Sequence, residues 1–312
     1  MTFALQIFCV FGLIACGFYA RKRGILSAQG TRELAQLATD IIYPALIFVS
    51  ITSLSTTDLR ANILLPLCVL GIALTGLLLG LIAVQFLGPI APATARAFLF
   101  HCMVNNYLFL PMPLVLFLFG ERGVALLVYS SIGYELILWT VGIFLFRRAT
   151  TPGEQFRYLM SPPFITLMAS MLWVLLRDTL GIEWQGLLAS LAESIVFVAR
   201  LMGQATVPVA VLIVGSRFAV LRAGTMLGWR LWLLSAIRLV VIPLVLFPLL
   251  WWVPLDATAR GVVFIVAVMP SAMTSVVFSE RFGGDTEFIA GGLLLTHLWA
   301  LITVPLLLAW AL

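Results

Sequence analysis

The chain has 312 residues, of which 62% are hydrophobic and only 10% are charged. A soluble domain has about 25% charged residues, so the composition excludes that class and predicts an all-α protein that crosses a lipid bilayer several times. The net charge of +5 does not indicate nucleic-acid binding, because most basic residues lie on the connections predicted to be cytoplasmic, as in other membrane proteins.

Uncharged apolar runs long enough to cross a bilayer as helices predict ten transmembrane spans. The first span is followed by Arg21-Lys22-Arg23. A secretory signal has its positive charge before the apolar run, so this segment is predicted to stay in the protein as a helix. The predicted spans are 2–20, 34–56, 61–86, 97–119, 123–146, 162–180, 187–216, 228–252, 260–279 and 288–311.

The positions of the basic residues predict the orientation in the membrane. With both termini outside, twelve of them fall on cytoplasmic connections or span ends and four on outer ones, as the positive-inside rule requires. We therefore expect a multi-pass protein of the cell (inner) membrane with both termini outside. The cytoplasmic set is Arg21, Lys22, Arg23, Arg32, Arg96, Arg147, Arg148, Arg157, Arg217, Arg222, Arg230 and Arg281, and the outer set is Arg60, Arg122, Arg177 and Arg260.

A short internal repeat divides the chain into two halves. The sequence Ala-Thr-Ala-Arg at 93–96 recurs at 257–260, a shift of 164 residues, and the same shift aligns Asn106 with Pro270. Five spans in each half is an odd number, so the halves must be inverted relative to each other. The predicted units are a first repeat at 1–146, a short cytoplasmic linker at 147–161 and a second repeat at 162–312.

The predicted fourth span carries two amides and two prolines at its centre, namely Asn105, Asn106, Pro111 and Pro113. Proline cannot donate to the carbonyl four residues back, and an unsatisfied carbonyl in hydrocarbon costs several kcal/mol. A helix broken at this depth should therefore line a cavity or be buried in protein. A kinked, packed helix explains this span equally well, but matching interruptions in two repeats point to a transporter's binding site.

The predicted ninth span contains the matching interruption, with Pro270, Ser271 and Thr274. Half-helix N-termini that meet a cavity would present positive dipole ends to an anion. An amide can donate to a carboxylate without the desolvation cost of a full charge. We therefore predict that a small organic anion binds where the two broken helices cross. The predicted binding residues are Asn105, Asn106, Pro111, Pro113, Pro270, Ser271 and Thr274.

Ionisable residues inside predicted spans are candidates for proton coupling, because such groups commonly serve proton relays. Glu135 is the deepest acid, His101 and His297 lie at mid-membrane depth, and Asp40 lies closer to the cytoplasmic end, where it could face water. The alternative for each is a hydrogen bond within the bundle. Arg238 is predicted to snorkel to the cytoplasmic side; a fixed charge for the anion is the second interpretation.

At these residues the chain resembles the auxin efflux carrier family, which includes the plant PIN-FORMED transporters and many bacterial carriers. It departs from the family at Pro111, where glycine is common, and it lacks the long cytoplasmic loop and the third-span charged pair of the plant members. The residues that fit the family pattern are Asn106, Phe109, Pro113 and Leu114 in the fourth span, Pro270, Glu280 and Phe282 in the ninth, and Asp285 and Pro305 in the tenth.

The resemblance implies a secondary transporter with an elevator mechanism. Spans 1, 2, 6 and 7 would form a scaffold that often dimerises, so a homodimer is expected through these helices. Spans 3–5 and 8–10 would form the moving transport domain, with the fourth and ninth spans crossing at their breaks. The implied substrate is a small carboxylate, such as malonate or malate, or an auxin-like anion.

Three alternatives stay open. A sodium-coupled bile-acid-type carrier would have a similar architecture, but the predicted ninth span holds neither an acid nor an amide over 261–279. An intramembrane enzyme is disfavoured, because the sequence has no nucleophile elbow, no His-Glu-x-x-His helix and no paired aspartates at a catalytic spacing. A channel or sensor would not need an inverted repeat with two broken helices. The cysteines form no metal-like cluster, and no cofactor is expected.

Overall fold

The computed structural model describes residues 2–146, 153, 160–183, 185–220, 228–276, 279 and 284–311. Throughout this part of the chain the regular secondary structure is helical, and a single isolated β-bridge joins two non-helical segments. The prediction of an all-α fold is therefore confirmed.

The helices of the first half run from residue 2 to residue 146. A π-helical segment, Ala38–Ile42, joins α2 to α3, and a second one, Leu138–Gly142, joins α7 to α8. The helices are α1 (Thr2–Lys22), α2 (Ala28–Leu37), α3 (Tyr43–Thr52), α4 (Thr56–Ala61), α5 (Leu65–Val84), α6 (Pro92–Met103), α7 (Pro111–Ile137) and α8 (Ile143–Phe146).

The described helices of the second half run from residue 162 to residue 311. A third π-helical segment, Ile237–Val241, joins α12 to α13. The helices are α9 (Pro162–Leu180), α10 (Gly186–Gln204), α11 (Thr206–Phe218), α12 (Trp229–Ala236), α13 (Ile242–Trp252), α14 (Ala257–Ala267) and α15 (Thr286–Ala311).

Several helix ends follow from capping residues in the sequence. The Ser27 hydroxyl accepts the Gly30 N–H at the start of α2, and the Asp256 carboxylate accepts the Ala259 N–H at the start of α14. Ser55 and Asp58 form a reciprocal capping box on α4. These caps satisfy amides that have no partner within their own helix.

Seven helical stretches in the described residues are long and apolar enough to cross a membrane. Three predicted spans are not among them: the first, which corresponds to α1, and the fourth and ninth, which are interrupted. The predicted fourth span is split between the 12-residue α6 and the start of α7, and the described part of the ninth contains the 11-residue α14. Helix α7 then joins the remainder of the fourth span to the fifth through a kink at Gly120, whose φ of 64° and ψ of −161° favour glycine. The count of ten spans stays a prediction.

The helices pack in two sets. In the first set, α1 packs against α11, and α3 packs against α9 and α10. In the second, α5 packs against α6 and α7, α14 packs against α7, and α12 packs against α15. The two sets also touch each other, mainly where α3 meets α7.

Close packing around α6 depends on two glycines of α5. A Cβ added to Gly76 would lie 2.0 Å from the Cys102 carbonyl oxygen, and one added to Gly80 would lie 3.1 Å from the Cys102 Cβ. The small-xxx-small pattern Gly76-Leu77-Leu78-Leu79-Gly80 therefore forms a helix-packing face. The contact holds the C-terminal end of α6 directly against α5.

Candidate substrate site

The predicted fourth span is interrupted between α6 and α7. Helix α6 ends at Met103, and Val104 is extended, with φ −105° and ψ 108°. Residues 104–110, here called the first break, contain no helix. Pro111 occupies the first helical position of α7, where its missing N–H has no intrahelical partner to lose. The prolines therefore define where the helix resumes.

A second non-helical segment, residues 268–273, follows α14 and is here called the second break. The two breaks pair as short antiparallel segments, with a bridge between Asn105 and Ser271. The Asn106 N–H donates to the Pro270 carbonyl at 2.8 Å, and the Ala272 N–H donates to the Val104 carbonyl at 3.0 Å. Backbone groups that the helices leave unpaired are thus satisfied by the opposite break, as burial requires. The place where they pair is called the crossing below.

Two side-chain hydrogen bonds connect the first break to neighbouring helices. The Asn105 side-chain N–H donates to the Val266 carbonyl, in the last turn of α14. The Tyr134 hydroxyl donates to the Asn105 carbonyl at 2.6 Å. Ser271 makes only a long contact, 3.5 Å from its hydroxyl to the His101 carbonyl. Asn105 and Tyr134 therefore hold the first break against α14 and α7.

Two amide atoms at the crossing lack a hydrogen-bond partner among the described residues. The Asn106 Oδ1 accepts the Leu110 N–H at 3.2 Å, but its Nδ2 donates to nothing. The Asn105 Oδ1 likewise accepts nothing. Both residues are buried, with 4% and 0% of their surface exposed. A buried polar atom without a partner is rare and needs an explanation, and a free amide donor matches a carboxylate ligand.

The N-terminus of α7 offers few free donors. Pro111 and Pro113 have no N–H, and the Met112 N–H already donates to the Leu108 carbonyl at 2.9 Å. Any ligand donor at this end of the crossing must therefore come from a side chain, which leaves Asn106. Thr274 is a partly buried residue just after the second break, and its hydroxyl, which is buried, also has no partner in the described structure.

Arg238 lies at the crossing and does not snorkel, so that prediction is wrong. Its side chain is completely buried. Its Nε, Nη1 and Nη2 donate to the carbonyls of Met269 at 3.1 Å, Cys102 at 3.2 Å and Ala267 at 2.8 Å. The C-terminal ends of α6 and α14 converge at the crossing. Because their carbonyls accept the hydrogen bonds of the guanidinium, the side chain stays buried there and does not extend to the aqueous surface.

Glu135 is linked to the first break through Tyr107. One carboxylate oxygen accepts the Tyr107 hydroxyl at 2.6 Å, and the other accepts the Trp139 indole N–H at 2.6 Å. The Tyr107 ring stacks on the Tyr134 ring with centroids 3.8 Å apart. Because Tyr134 also bonds to Asn105, a change at Glu135 can reach the crossing through two aromatic side chains.

A comparison with known protein families matches the sequence of this chain to one family. The family described as "Membrane transport protein" matches residues 2–156 and again residues 154–308. The chain belongs to this family, the auxin efflux carriers. The resemblance noted from the sequence is thereby confirmed.

Two similar proteins from archaea are also named as transporters. An uncharacterized transporter of Methanocaldococcus jannaschii is 23% identical over 302 residues, which cover 94% of each chain. An uncharacterized transporter of Methanothermobacter thermautotrophicus is 23% identical over 307 residues, 96% of this chain and 95% of its own. A membrane transporter that carries a small substrate is therefore the supported class.

The side chains of the other proton-coupling candidates form no described hydrogen bond with the two breaks. The His101 ring meets the Ile289 carbonyl at 3.0 Å, and the His297 ring meets the Leu293 carbonyl at 2.8 Å, so both rings contact α15. Asp40 is exposed on the π-helical segment 38–42, which packs against α9 and α11. Asp285 caps α15 by accepting the Phe288 N–H at 3.0 Å. Glu280 and Phe282, which fit the family pattern, lie outside the described residues.

Sequence reasoning missed three aromatic side chains at or beside the crossing, Tyr134, Tyr107 and Trp139, and gave Arg238 a role there only as its second interpretation. A signal existed for Arg238, since a lone arginine in the apolar run 231–252 is a functional candidate by default. The aromatic residues gave no comparable signal, because apolar helices carry such side chains for packing alone.

Proposed function

We propose that this protein is a secondary transporter of a small organic anion, a carboxylate such as malonate, malate or an auxin-like acid. The substrate binds at the crossing, and Asn106 donates to its carboxylate. The Asn106 Nδ2 carries this proposal, because it is a buried donor that no described protein group uses. Asn105, Ser271 and Thr274 complete the set of polar side chains at the two breaks.

A neutral donor suits a carrier that must release its cargo. A buried guanidinium that paired directly with the substrate would hold it strongly. The three N–H groups of Arg238 described above donate to backbone carbonyls instead. Its positive charge would therefore attract an anion at the crossing without a direct hydrogen bond to it. Pro111, Pro113 and Pro270 contribute by fixing where the helices stop and resume.

The packing of the helices supports an elevator-type movement. Helices α1–α3 and α9–α11 form the proposed scaffold, and α5–α8 together with α12–α15 form the proposed transport domain, which contains the whole crossing. The Tyr43 ring of α3 meets the Phe109 ring of the first break edge to face, with centroids 6.0 Å apart. Sliding of the transport domain past α3 would separate these rings and expose Asn106 to water on alternate sides.

Contacts among residues of the predicted outer connections support the proposal that these connections lie on one side of the membrane. The Arg122 guanidinium lies 3.6 Å from the Asp58 carboxylate and 3.3 Å from the Asp256 carboxylate. Arg177 donates to the carbonyls of Thr52 and Leu54 at 2.8 Å. These residues come from predicted outer connections or their flanks, and both termini are proposed to lie on this side of the cell membrane. A homodimer through the scaffold helices stays a prediction.

Glu135 is the proposed proton-coupling residue, because it alone among the candidates is bonded to a side chain of the first break. His101, His297 and Asp40 stay weaker candidates for this role, since none of their side chains has a described hydrogen bond to either break.

Uptake into proteoliposomes tests the proposal. Purified protein is reconstituted and offered labelled acetate, malonate, malate and indole-3-acetate under imposed substrate and pH gradients, with protein-free liposomes as the control. We expect saturable uptake of at least one carboxylate, inhibited by unlabelled carboxylates and unaffected by neutral amides of the same size. Uptake that does not saturate, or that neutral amides inhibit equally, would contradict an anion site.

A further inference from the structure

The most completely buried charge in the described structure is Arg238. It sits in the π-helical segment Ile237–Val241 and is the largest of the fully buried side chains. A π-helical turn is frequently found at a functional site, because it shifts a side chain out of the regular helical register. Here it lies where the arginine bonds to both helices that end at the crossing.

The acceptors of the guanidinium share one property: they are carbonyls at helix C-terminal ends. Cys102 lies in the last turn of α6, Ala267 is the last residue of α14, and Met269 follows in the second break. Such carbonyls have no intrahelical partner, and each helix end carries about half a negative elementary charge. In other carriers with broken helices, helix C-terminal ends and unwound carbonyls coordinate the coupling cation.

The charge balance around Arg238 involves no carboxylate. The described ion pairs join Arg122 to Asp58 and Asp256 and join Arg177 to Asp178, and none of them includes Arg238. Glu135, the nearest acid to the crossing by its bonds, is engaged by Tyr107 and Trp139. His101 points to Ile289 and Tyr134 to the Asn105 carbonyl. The two helix ends are therefore the counter-charge of the guanidinium.

We propose that Arg238 is a built-in cation that joins the two helix ends at the crossing and occupies the place where a sodium-coupled carrier would bind a dissociable ion. Its removal should leave a site for a free guanidinium ion, lined by the carbonyls of Cys102, Ala267 and Met269. A consequence is that the intact protein does not bind sodium at this place for transport. The inference rests on the proposed transport function only for this consequence; the cation site itself can be tested without any substrate.

Chemical rescue of Arg238→Ala in purified protein tests the inference. The melting temperature Tm is followed by tryptophan fluorescence in millimolar guanidinium chloride, with choline chloride at equal ionic strength as the reference. We expect Arg238→Ala to melt several degrees below the wild type and to recover saturably by more than about 3 °C with guanidinium, because an ion that binds only the folded state raises Tm.

Arg230→Ala is the matched control. Arg230 also donates to backbone carbonyls, those of Leu87 and Pro89, but it is only half-buried at the start of α12, where water can replace it. Neither this variant nor the wild type should gain stability from guanidinium. An Arg238→Ala protein as stable as the wild type, or one that loses stability without any guanidinium-specific recovery, would overturn the inference.

The wild type provides a second test that does not depend on the folding of a variant. Its Tm should be the same in sodium, potassium and choline chloride at equal ionic strength. A sodium-specific rise in the Tm of the wild type would contradict a resident arginine cation even if Arg238→Ala could not be purified. Because both readouts are melting temperatures, their failure is distinguishable from a failure to transport carboxylates.

Discussion

The backbone N–H of Asn106 donates to the carbonyl of Pro270 at 2.8 Å, so two residues that the internal repeat aligns are bonded to each other. The same 164-residue shift separates Ile42 from Thr206, and the Thr206 hydroxyl lies 3.5 Å from the Ile42 carbonyl oxygen. In a structure with an approximate two-fold axis, equivalent residues meet only near that axis. The crossing therefore lies where two inverted repeats would share their axis, which supports the proposed architecture.

The hydrogen bond from Tyr134 to the Asn105 carbonyl should be important for the first break. Tyr134→Phe removes the donor and leaves a buried carbonyl unpaired, which should cost about 1–3 kcal/mol and lower Tm. Tyr129→Phe, on the same helix as Tyr134, is the control. The Tyr129 hydroxyl makes only a 3.4 Å contact, with the Leu59 carbonyl of α4. Thermal unfolding of the two variants checks this, and equal Tm values would show that the bond contributes nothing to stability.

The close contact between α5 and α6 should leave no room for a side chain at residue 76. In Gly76→Ala the new Cβ would meet the Cys102 carbonyl, an acceptor of Arg238, and the overpacking should cost about 1–3 kcal/mol or more. Gly71→Ala, on the same helix with no atom within 4 Å of the new Cβ, should be neutral or stabilising by up to about 1 kcal/mol. Melting temperatures measure both effects, and a Gly76→Ala protein as stable as Gly71→Ala would refute the packing described here.

Proton coupling through Glu135 predicts a change in the pH profile of transport. Glu135→Gln cannot take up or release a proton, so uptake should lose its dependence on an imposed pH gradient while binding at a fixed pH persists. Glu121→Gln, an exposed residue beside the Gly120 kink of the same helix, should keep the wild-type profile. Initial uptake rates over a range of external pH measure this. Should Glu135→Gln retain the wild-type profile, Glu135 only positions Tyr107 and Trp139.

The proposed orientation predicts where the C-terminus is found. A reporter enzyme that is active only in the cytoplasm should be silent when it is fused after residue 312, because twelve basic residues are assigned to the cytoplasmic side and four to the outside. The same reporter fused into the predicted linker 147–161 should be active. Strong cytoplasmic activity from the C-terminal fusion would defeat the ten-span topology.

Much of the crossing could be predicted from local sequence. Pro111 and Pro113 beside two amides identified the first break, and the equal spacing from Arg96 to Asn106 and from Arg260 to Pro270 identified its partner. These signals work because proline removes a backbone donor wherever it stands, so the consequence for a helix does not depend on the rest of the fold.

The role of Arg238 could not be predicted in the same way. Its acceptors lie 136 residues before it and 29 and 31 residues after it, and its depth in the span suggests snorkelling when the neighbouring helices are unknown. The link from Glu135 to Asn105 through Tyr107 and Tyr134 depends equally on the tertiary structure. Long-range contacts of this kind decide which ionisable residues lie at the crossing and which, like Asp40, remain exposed.

The most direct test of the central claim is the transport affinity of Asn106→Ala. The variant loses the free amide donor of the first break, so the KM for the transported carboxylate should rise by about 10- to 150-fold, the equivalent of roughly 1.5–3 kcal/mol for a hydrogen bond to a charged ligand. Its Tm should fall only slightly, through the lost contact with the Leu110 N–H. Asn62→Ala removes another buried amide, bonded to the Asp58 carbonyl far from the breaks, and should leave KM unchanged. An Asn106→Ala transporter with the wild-type KM would contradict a substrate site at the crossing.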